Sequence, residues 1–298
     1  DGFDEFGVVG DLERNTMTIK LIATDMDGTF LDERGSFDRQ RFERVLTELE
    51  ERKIPFVVAS GNGMGRLLRI FKGFEDRLTF VAENGSHIYQ GGQTLYRNVM
   101  PVPLIREVMD YLQEGVKEAC FMLAHDQRIY MAQGARQPFE DLEAIEPAQM
   151  AAFLKRLTYL PDITAFPEQE VFYKMGLWVP EPRVPQLVTA FNQAFSGKLN
   201  AVTSGYGSID LMPAGIHKAW GLQRVMDPLG IDPSQVMAFG DNDNDIEMLD
   251  LARYSFAVDN ASPAAKAAAR FHIPHHSQGS VLTSIEHYLA KGDLSWQK

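Results

Sequence analysis

Ile19-Lys20-Leu21-Ile22-Ala23-Thr24, running into Asp25-Met26-Asp27-Gly28-Thr29, is the stretch that decides the fold. An apolar run rich in Leu and Ile that stops at acid and glycine reads as a buried parallel strand. Such a strand delivers carboxylates to the carboxyl edge of an open α/β sheet, where these sheets bind ligands. Side chains alternate along a strand, so Asp25 and Asp27 share a direction only while the backbone stays extended, and Gly28 then lets the chain turn away. Two carboxylates this close repel unless a cation or a proton sits nearby, which makes a divalent metal the natural third party. Taken alone, the motif reads more readily as a solvated acidic turn.

Outward from this stretch, apolar runs alternate with helical patterns. Phe42, Val45, Leu46 and Leu49 recur at helical spacing in a charged segment, as in a surface helix covering a sheet. Pro55-Phe56-Val57-Val58-Ala59-Ser60 is a second buried strand that stops at Ser60-Gly61-Asn62-Gly63, and Leu67, Leu68 and Phe71 then open another helix. Thr79 to Ala82 is a third run, ending at Glu83-Asn84-Gly85. From about Pro101 the style changes. Helices are predicted from Leu104 to Glu114 and from Val184 to Phe195. Strand-like segments lie at Ala119 to Ala124, Arg128 to Ala132, Val171 to Val179 and Ala201 to Ser204, and prolines punctuate the joins. The first style then returns with a helix from Ala219 to Leu229 capped by Gly230, and a strand from Gln235 to Phe239. The predicted division is therefore an α/β core over 17–98 and 206–298 with an inserted α+β domain over 99–205. Residues 1–16, with Gly2, Gly7 and Gly10 and no periodicity, read as a disordered extension outside the fold.

Composition narrows the function classes. A chain of 298 residues, 45% hydrophobic and 23% charged, is an ordinary globular composition with room for a large core. A formal net charge of -12 without a basic patch argues against nucleic acid and anionic membranes as partners. No run approaches the roughly 20 apolar residues a membrane span needs, and no signal peptide is visible. The single cysteine, Cys120, excludes an internal disulfide and fits a reducing cytoplasm. No obligate protein partner is evident. An acidic protein that takes a phosphorylated substrate needs local cations at its site.

Those cations have candidates. Gly240-Asp241-Asn242-Asp243-Asn244-Asp245 is a second acidic cluster directly after an apolar strand and ahead of a helix. Lys218 follows Pro213-Ala214-Gly215-Ile216-His217 and opens a helix, where the dipole disfavours a cation, so it wants an anionic partner. Ser60, with Gly61 and Gly63 behind it, offers a hydroxyl and backbone N–H groups suited to an anion. Gly61-Asn62-Gly63-Met64-Gly65 has its third glycine misplaced for a dinucleotide fingerprint. His275-His276 lacks a third ligand nearby and reads as an exposed pair.

Asp25-Met26-Asp27-Gly28-Thr29, Ser60, Lys218 and Gly240–Asp245, in that order, closely resemble the four motifs of the haloacid dehalogenase superfamily. The long insert between the second and third motifs, with Glu83-Asn84-Gly85, resembles its Cof-type branch of sugar phosphatases with an α/β cap. The resemblance covers the chain from Met17 to the C-terminal helix. It implies a Rossmann-like core with a cap, and Mg²⁺-dependent hydrolysis of small phosphomonoesters, sugar phosphates first among them. Asp25 would be the nucleophile that becomes an aspartyl phosphate, and Asp27 the acid and base. Mg²⁺ would be held by Asp25, the backbone carbonyl of Asp27 and Asp241, with Asp245 supporting the site. Ser60, Gly61, Lys218 and Asn244 would bind the phosphoryl group or the substrate.

Two alternatives stay within the same core: a phosphatase for a phosphorylated cofactor such as flavin mononucleotide or pyridoxal phosphate, and a phosphomutase. A receiver-like phospho-acceptor module is the alternative of another class. Met26 should point into the core. In the cap, Tyr173, Lys174, His125 and Arg128 are polar candidates for specificity, and none is assigned.

Overall fold

The computed structural model describes residues 17–136 and 147–297, so the expected extension over 1–16 lies outside the described residues. Two sheets organise the chain. The first has eight strands in the order β14-β13-β12-β1-β2-β3-β4-β5. These are β1 (Leu21–Thr24), β2 (Phe56–Ala59), β3 (Thr79–Ala82), β4 (His87–Gln90), β5 (Gln93–Arg97), β12 (Val236–Gly240), β13 (Tyr254–Val258) and β14 (Phe271–Ile273). Pairing is parallel from β14 through β3, and β4 and β5 add an antiparallel edge.

The central strands are apolar on both faces because both faces are covered. Ile22, Val58, Phe80, Met237 and Phe239 join one cluster with Phe42, Val45, Leu46 and Leu49 of helix α1 (Arg39–Glu51). Leu21, Ala23, Val57, Val81 and Ala238 face the other way, against Leu222, Val225 and Met226 of helix α7 (Lys218–Leu229). Helix α1 starts where Asp38 accepts a hydrogen bond from the Arg41 N–H (3.0 Å), and α7 stops at Gly230 in the left-handed conformation. Met26 is fully buried beside Phe30 in the α1 face of the core.

The second sheet has six strands in the order β10-β11-β9-β6-β7-β8. They are β6 (Met122–Ala124), β7 (Ile129–Ala132), β8 (Leu157–Leu160), β9 (Lys174–Trp178), β10 (Leu199–Gly205) and β11 (Ser208–Pro213). Helices α3 (Val102–Leu112) and α6 (Val184–Ala194) contribute Ile105, Val108 and Phe191 to a core separate from that of the first sheet. The expected return to the catalytic core at residue 206 is corrected here. Strand β11 pairs antiparallel with both β9 and β10, so the inserted domain extends to Pro213 and the core resumes with α7. The chain leaves the first sheet after Arg97, the last residue of β5, returns against it with α7, whose N-cap is His217, and rejoins it at β12.

One close approach fixes α7 on the sheet. The turn after β3, Glu83–Gly85, packs on the first turns of α7, and a side chain on Gly85 would strike the His217 carbonyl. A methyl at Gly221 would lie 2.8 Å from the Gly85 Cα and 2.6 Å from Val81 Cγ1, so neither position has room for one.

Candidate active site

The topology brings the two acidic motifs together. β1 lies between β12 and β2, and Thr24 is in register with Phe239, so the acids that follow β1 and β12 leave adjacent strands at the same sheet edge. The Asp25 N–H donates to the Phe239 carbonyl (3.0 Å), which keeps the backbone extended up to the first acid. After Asp25 the chain makes a wide turn, closed by the Phe30 N–H to the Asp25 carbonyl (3.3 Å) and the Leu31 N–H to the Met26 carbonyl (3.0 Å). Gly28 sits in this turn at φ 76, facing Asp241, and a Cβ there would collide with the Asp241 carboxylate.

Asp25, Asp241 and Asp245 each offer a carboxylate oxygen within 4.8 Å of the others. Lys218 lies among them, fully buried, with Nζ donating to Asp25 Oδ1 (2.8 Å) and Asp245 Oδ1 (2.6 Å). Thr29 Oγ1 donates to Asp25 Oδ2 (3.3 Å) or Asp241 Oδ1 (3.0 Å) and so ties the two motifs. Asp245 also accepts from the backbone N–H of Asp241 (2.9 Å) and of Asn242 (3.1 Å), shaping the loop that presents Asp241.

The electrostatics ask for another cation. Three carboxylates against one lysine leave an excess of negative charge in a dry setting. Burial would favour neutral Lys218, but Asp245 and Asp25 outweigh it and raise its pKa, holding it charged. Burial pushes Asp241 well above the usual carboxylate range, and the charges of Asp25 and Asp245 add to this. Asp245 is pushed up to about 6 by burial and by Asp25, with Lys218 opposing. A divalent cation with oxygen ligands fits this donor set.

Asp27 faces a different group. Its carboxylate takes two hydrogen bonds from Arg66, Nη1 to Oδ2 (2.5 Å) and Nη2 to Oδ1 (2.8 Å), and a third from Asn62 Nδ2 (2.9 Å). Burial would raise its pKa, but Arg66 and Asn62 prevail and hold it below the usual range. Arg66 lies on helix α2 (Met64–Ile70), directly after the loop of the second motif. Ser60 Oγ accepts from the Asn62 N–H (3.0 Å) and side chain (2.8 Å), so Asn62 bridges Ser60 and Asp27. Gly61 borders Asn84 and Asn244, and Asn244 Nδ2 donates to Asn84 Oδ1 (3.1 Å).

The expected residues therefore form two adjoining groups: Asp25, Asp241, Asp245 and Lys218 in one, and Asp27 with Ser60 in the other. Sequence reasoning passed over Thr29, Asn62, Arg66 and Asn84. The cap reaches the same edge, since Lys174 Nζ donates to the Gly61 carbonyl (3.3 Å) and pairs with Asp210 (3.0 Å), which accepts from Asn84 Nδ2 (2.8 Å). Of the other cap candidates, Tyr173 lies under Arg97, with the guanidinium carbon 3.5 Å from the ring centre. Arg128 pairs with Glu170 (3.6 Å), and His125 accepts at Nδ1 from the Gln127 N–H (3.3 Å).

A parallel sheet with acids from adjacent strands around a buried lysine, under an inserted second sheet, defines a hydrolase of the phosphoryl-transfer type. The model of the haloacid dehalogenase-like hydrolases matches residues 22–285, and the chain belongs to that family. It is 33% identical over 275 residues, 92% of this chain and 97% of the other, to the 5-amino-6-(5-phospho-D-ribitylamino)uracil phosphatase YbjI of Escherichia coli. To the HMP-PP phosphatase of Serratia proteamaculans it is 26% identical, covering 93% of this chain and 98% of that one. The solved structure of SMU.1108c from Streptococcus mutans superposes with a TM-score of 0.83 at 36% identity, covering 92% of this chain and all of that one. These relatives support phosphatase activity and set the receiver-like alternative aside. No helix among the described residues is long and apolar enough to cross a membrane.

Proposed function

We propose that the protein hydrolyses small phosphomonoesters with Mg²⁺, sugar or polyol phosphates foremost, through an aspartyl phosphate on Asp25. The observation that carries this reading is the placement of Asp25 between Lys218 and Thr29, within 4.8 Å of Asp241 and Asp245. Asp25 and Asp241, with the Asp27 carbonyl, would hold the metal. When bound, Mg²⁺ supplies the positive charge that the crowded carboxylates and a phosphoryl group both require. An Asp25 oxygen attacks phosphorus and the bond to the leaving oxygen breaks, with Asp27 giving that oxygen a proton. Asp27 then takes a proton from water, the water oxygen attacks phosphorus, and the bond to Asp25 breaks. Lys218 fixes the attacking carboxylate, while Ser60, Gly61 and Asn244 serve the phosphoryl group. Asp27 must exchange its bonds to Arg66 and Asn62 for a proton during the cycle.

A second reading is favoured by the relative 33% identical to this chain, whose name gives a phosphorylated ribitylamino group on a uracil as its substrate. Here the leaving alcohol would be a polyol chain bearing a base. The test is phosphate release from a panel holding ribitylamino-uracil phosphate, sugar phosphates, flavin mononucleotide, pyridoxal phosphate and p-nitrophenyl phosphate, with Mg²⁺ and with EDTA. Hydrolysis is expected with Mg²⁺ only, and Asp25→Asn should lower kcat by at least about a thousandfold. A panel with no released phosphate refutes the function, and an active Asp25→Asn protein refutes the nucleophile.

A further inference from the structure

Glu83 is the first residue after β3, at the sheet edge that carries the acids, and it has no part in the chemistry above. Its backbone lies in the left-handed region (φ 49), as does that of Asn84 (φ 56). Two successive residues with side chains seldom hold this conformation, and such strain clusters where a side chain must be aimed. The turn is pinned from several sides. The Glu83 N–H donates to the Asn62 carbonyl (3.0 Å), the Asn84 N–H to the Ser60 carbonyl (3.0 Å), and Ser86 Oγ to the Glu83 carbonyl (2.7 Å).

The strained turn delivers a carboxylate, 9% exposed as a residue, to the joint between core and cap. Oε1 lies 3.8 Å from Arg97 Nη2 and beside the Gly63 Cα. Oε2 is buried and has no hydrogen-bond partner among the described residues. A buried carboxylate oxygen without a donor is costly, and native proteins rarely keep one without a use. Burial raises the Glu83 pKa, with Lys174, Arg97 and Arg156 opposing and the charge of Asp210 adding to the rise. Gly63 and Asn62 on the core side place it beside the second-motif loop, and Lys174, Arg97 and Arg156 are cationic neighbours, with Asp210 an acidic one.

We infer that Glu83 is a specificity-determining residue whose Oε2 accepts a hydrogen bond from a hydroxyl or N–H of the leaving group, selecting hydroxylated or aminated phosphomonoesters over those with no donor. The inference rests on the phosphatase reading. Its test is the ratio of kcat/KM for ribose 5-phosphate to that for p-nitrophenyl phosphate, whose leaving group carries no donor, in the full-length Mg²⁺-loaded protein. In Glu83→Ala this ratio should fall about tenfold or more, the worth of one hydrogen bond to a charged group. Glu83→Gln keeps the shape and one acceptor oxygen, and its ratio should fall by a smaller factor, which decides the matter if the alanine variant does not fold. A ratio that stays at the wild-type value in the folded variants, with both substrates slowed alike or neither slowed, overturns the assignment and leaves the phosphatase intact. Absence of hydrolysis by the wild-type protein overturns the phosphatase reading and this inference with it.

Discussion

Asp25 and Asp27 stand one residue apart in the sequence and carry opposite environments. Asp25 shares a buried lysine with Asp245 and lies close to Asp241, whereas Asp27 is gripped by a guanidinium and an amide. Removing that grip should show in the pH profile of the reaction. With Arg66→Gln, the acid limb of kcat that reports Asp27 should move up by about one pH unit or more, because an opposite charge at contact distance lowers a carboxyl by that much. A limb that does not move would take Asp27 out of the profile. His87 gives a second residue-level test, on stability. Its pKa is lowered to about 4 by burial, with the Arg97 charge adding to this. The folded state therefore keeps it neutral while an unfolded histidine near 6.5 takes a proton. Its contribution is intact above the unfolded value and is lost as pH falls from about 6.5 towards 4. Melting temperature should decline over that window, and His87→Gln should flatten the decline. At this scale the acids and Lys218 were legible, since carboxylates after strands and a cation at a helix start are locally anomalous. Arg66 and Asn84 were not, because an arginine in a helix and an asparagine in a turn look ordinary until their partners, 39 and 126 residues away, are known.

Elements set which acids can meet. The parallel register of β1 with β12 puts Asp25 next to the Asp241 loop, and helix α7 brings Lys218 between them. Replacing this cation by Lys218→Met leaves buried carboxylates without their partner. Breaking a buried pair in this way should cost about 3–5 kcal/mol in denaturant unfolding, together with nearly all activity. A variant as stable as wild type would show that the pair is replaceable. Strands flanked by turn signals, such as β1, β2 and β12, were readable from apolar runs alone. Strand β11 was not: Ser208-Ile209-Asp210-Leu211-Met212-Pro213 carries a buried aspartate in a short mixed segment, and only pairing with β9 and β10 assigns it to the cap.

Across the whole molecule the two sheets own separate cores, one around Phe42, Phe80 and Phe239 and another around Phe121, Phe172 and Phe191. Segments with cores of their own unfold as units. Calorimetry should therefore resolve two transitions, and Phe191→Ala, a large-to-small change worth about 3–5 kcal/mol, should lower one of them and leave the other in place. A single transition displaced as a whole would mean that the joint couples them fully. The net charge of -12 repels phosphorylated molecules at a distance and salt screens that repulsion, so substrate capture should weaken little with added salt.

The contact between Gly85 and Gly221 has a consequence for tolerance. With no side chain on either, α7 sits as near to the end of β3 as backbone atoms allow, and Lys218 is three residues ahead of Gly221 on the same helix. The pair thus works as a spacer of minimum thickness that sets how far the lysine can reach. A single methyl added there meets no acid, yet backbone must shift to admit it, on the helix that carries the lysine. These two silent glycines belong among the positions where the smallest change does the most harm.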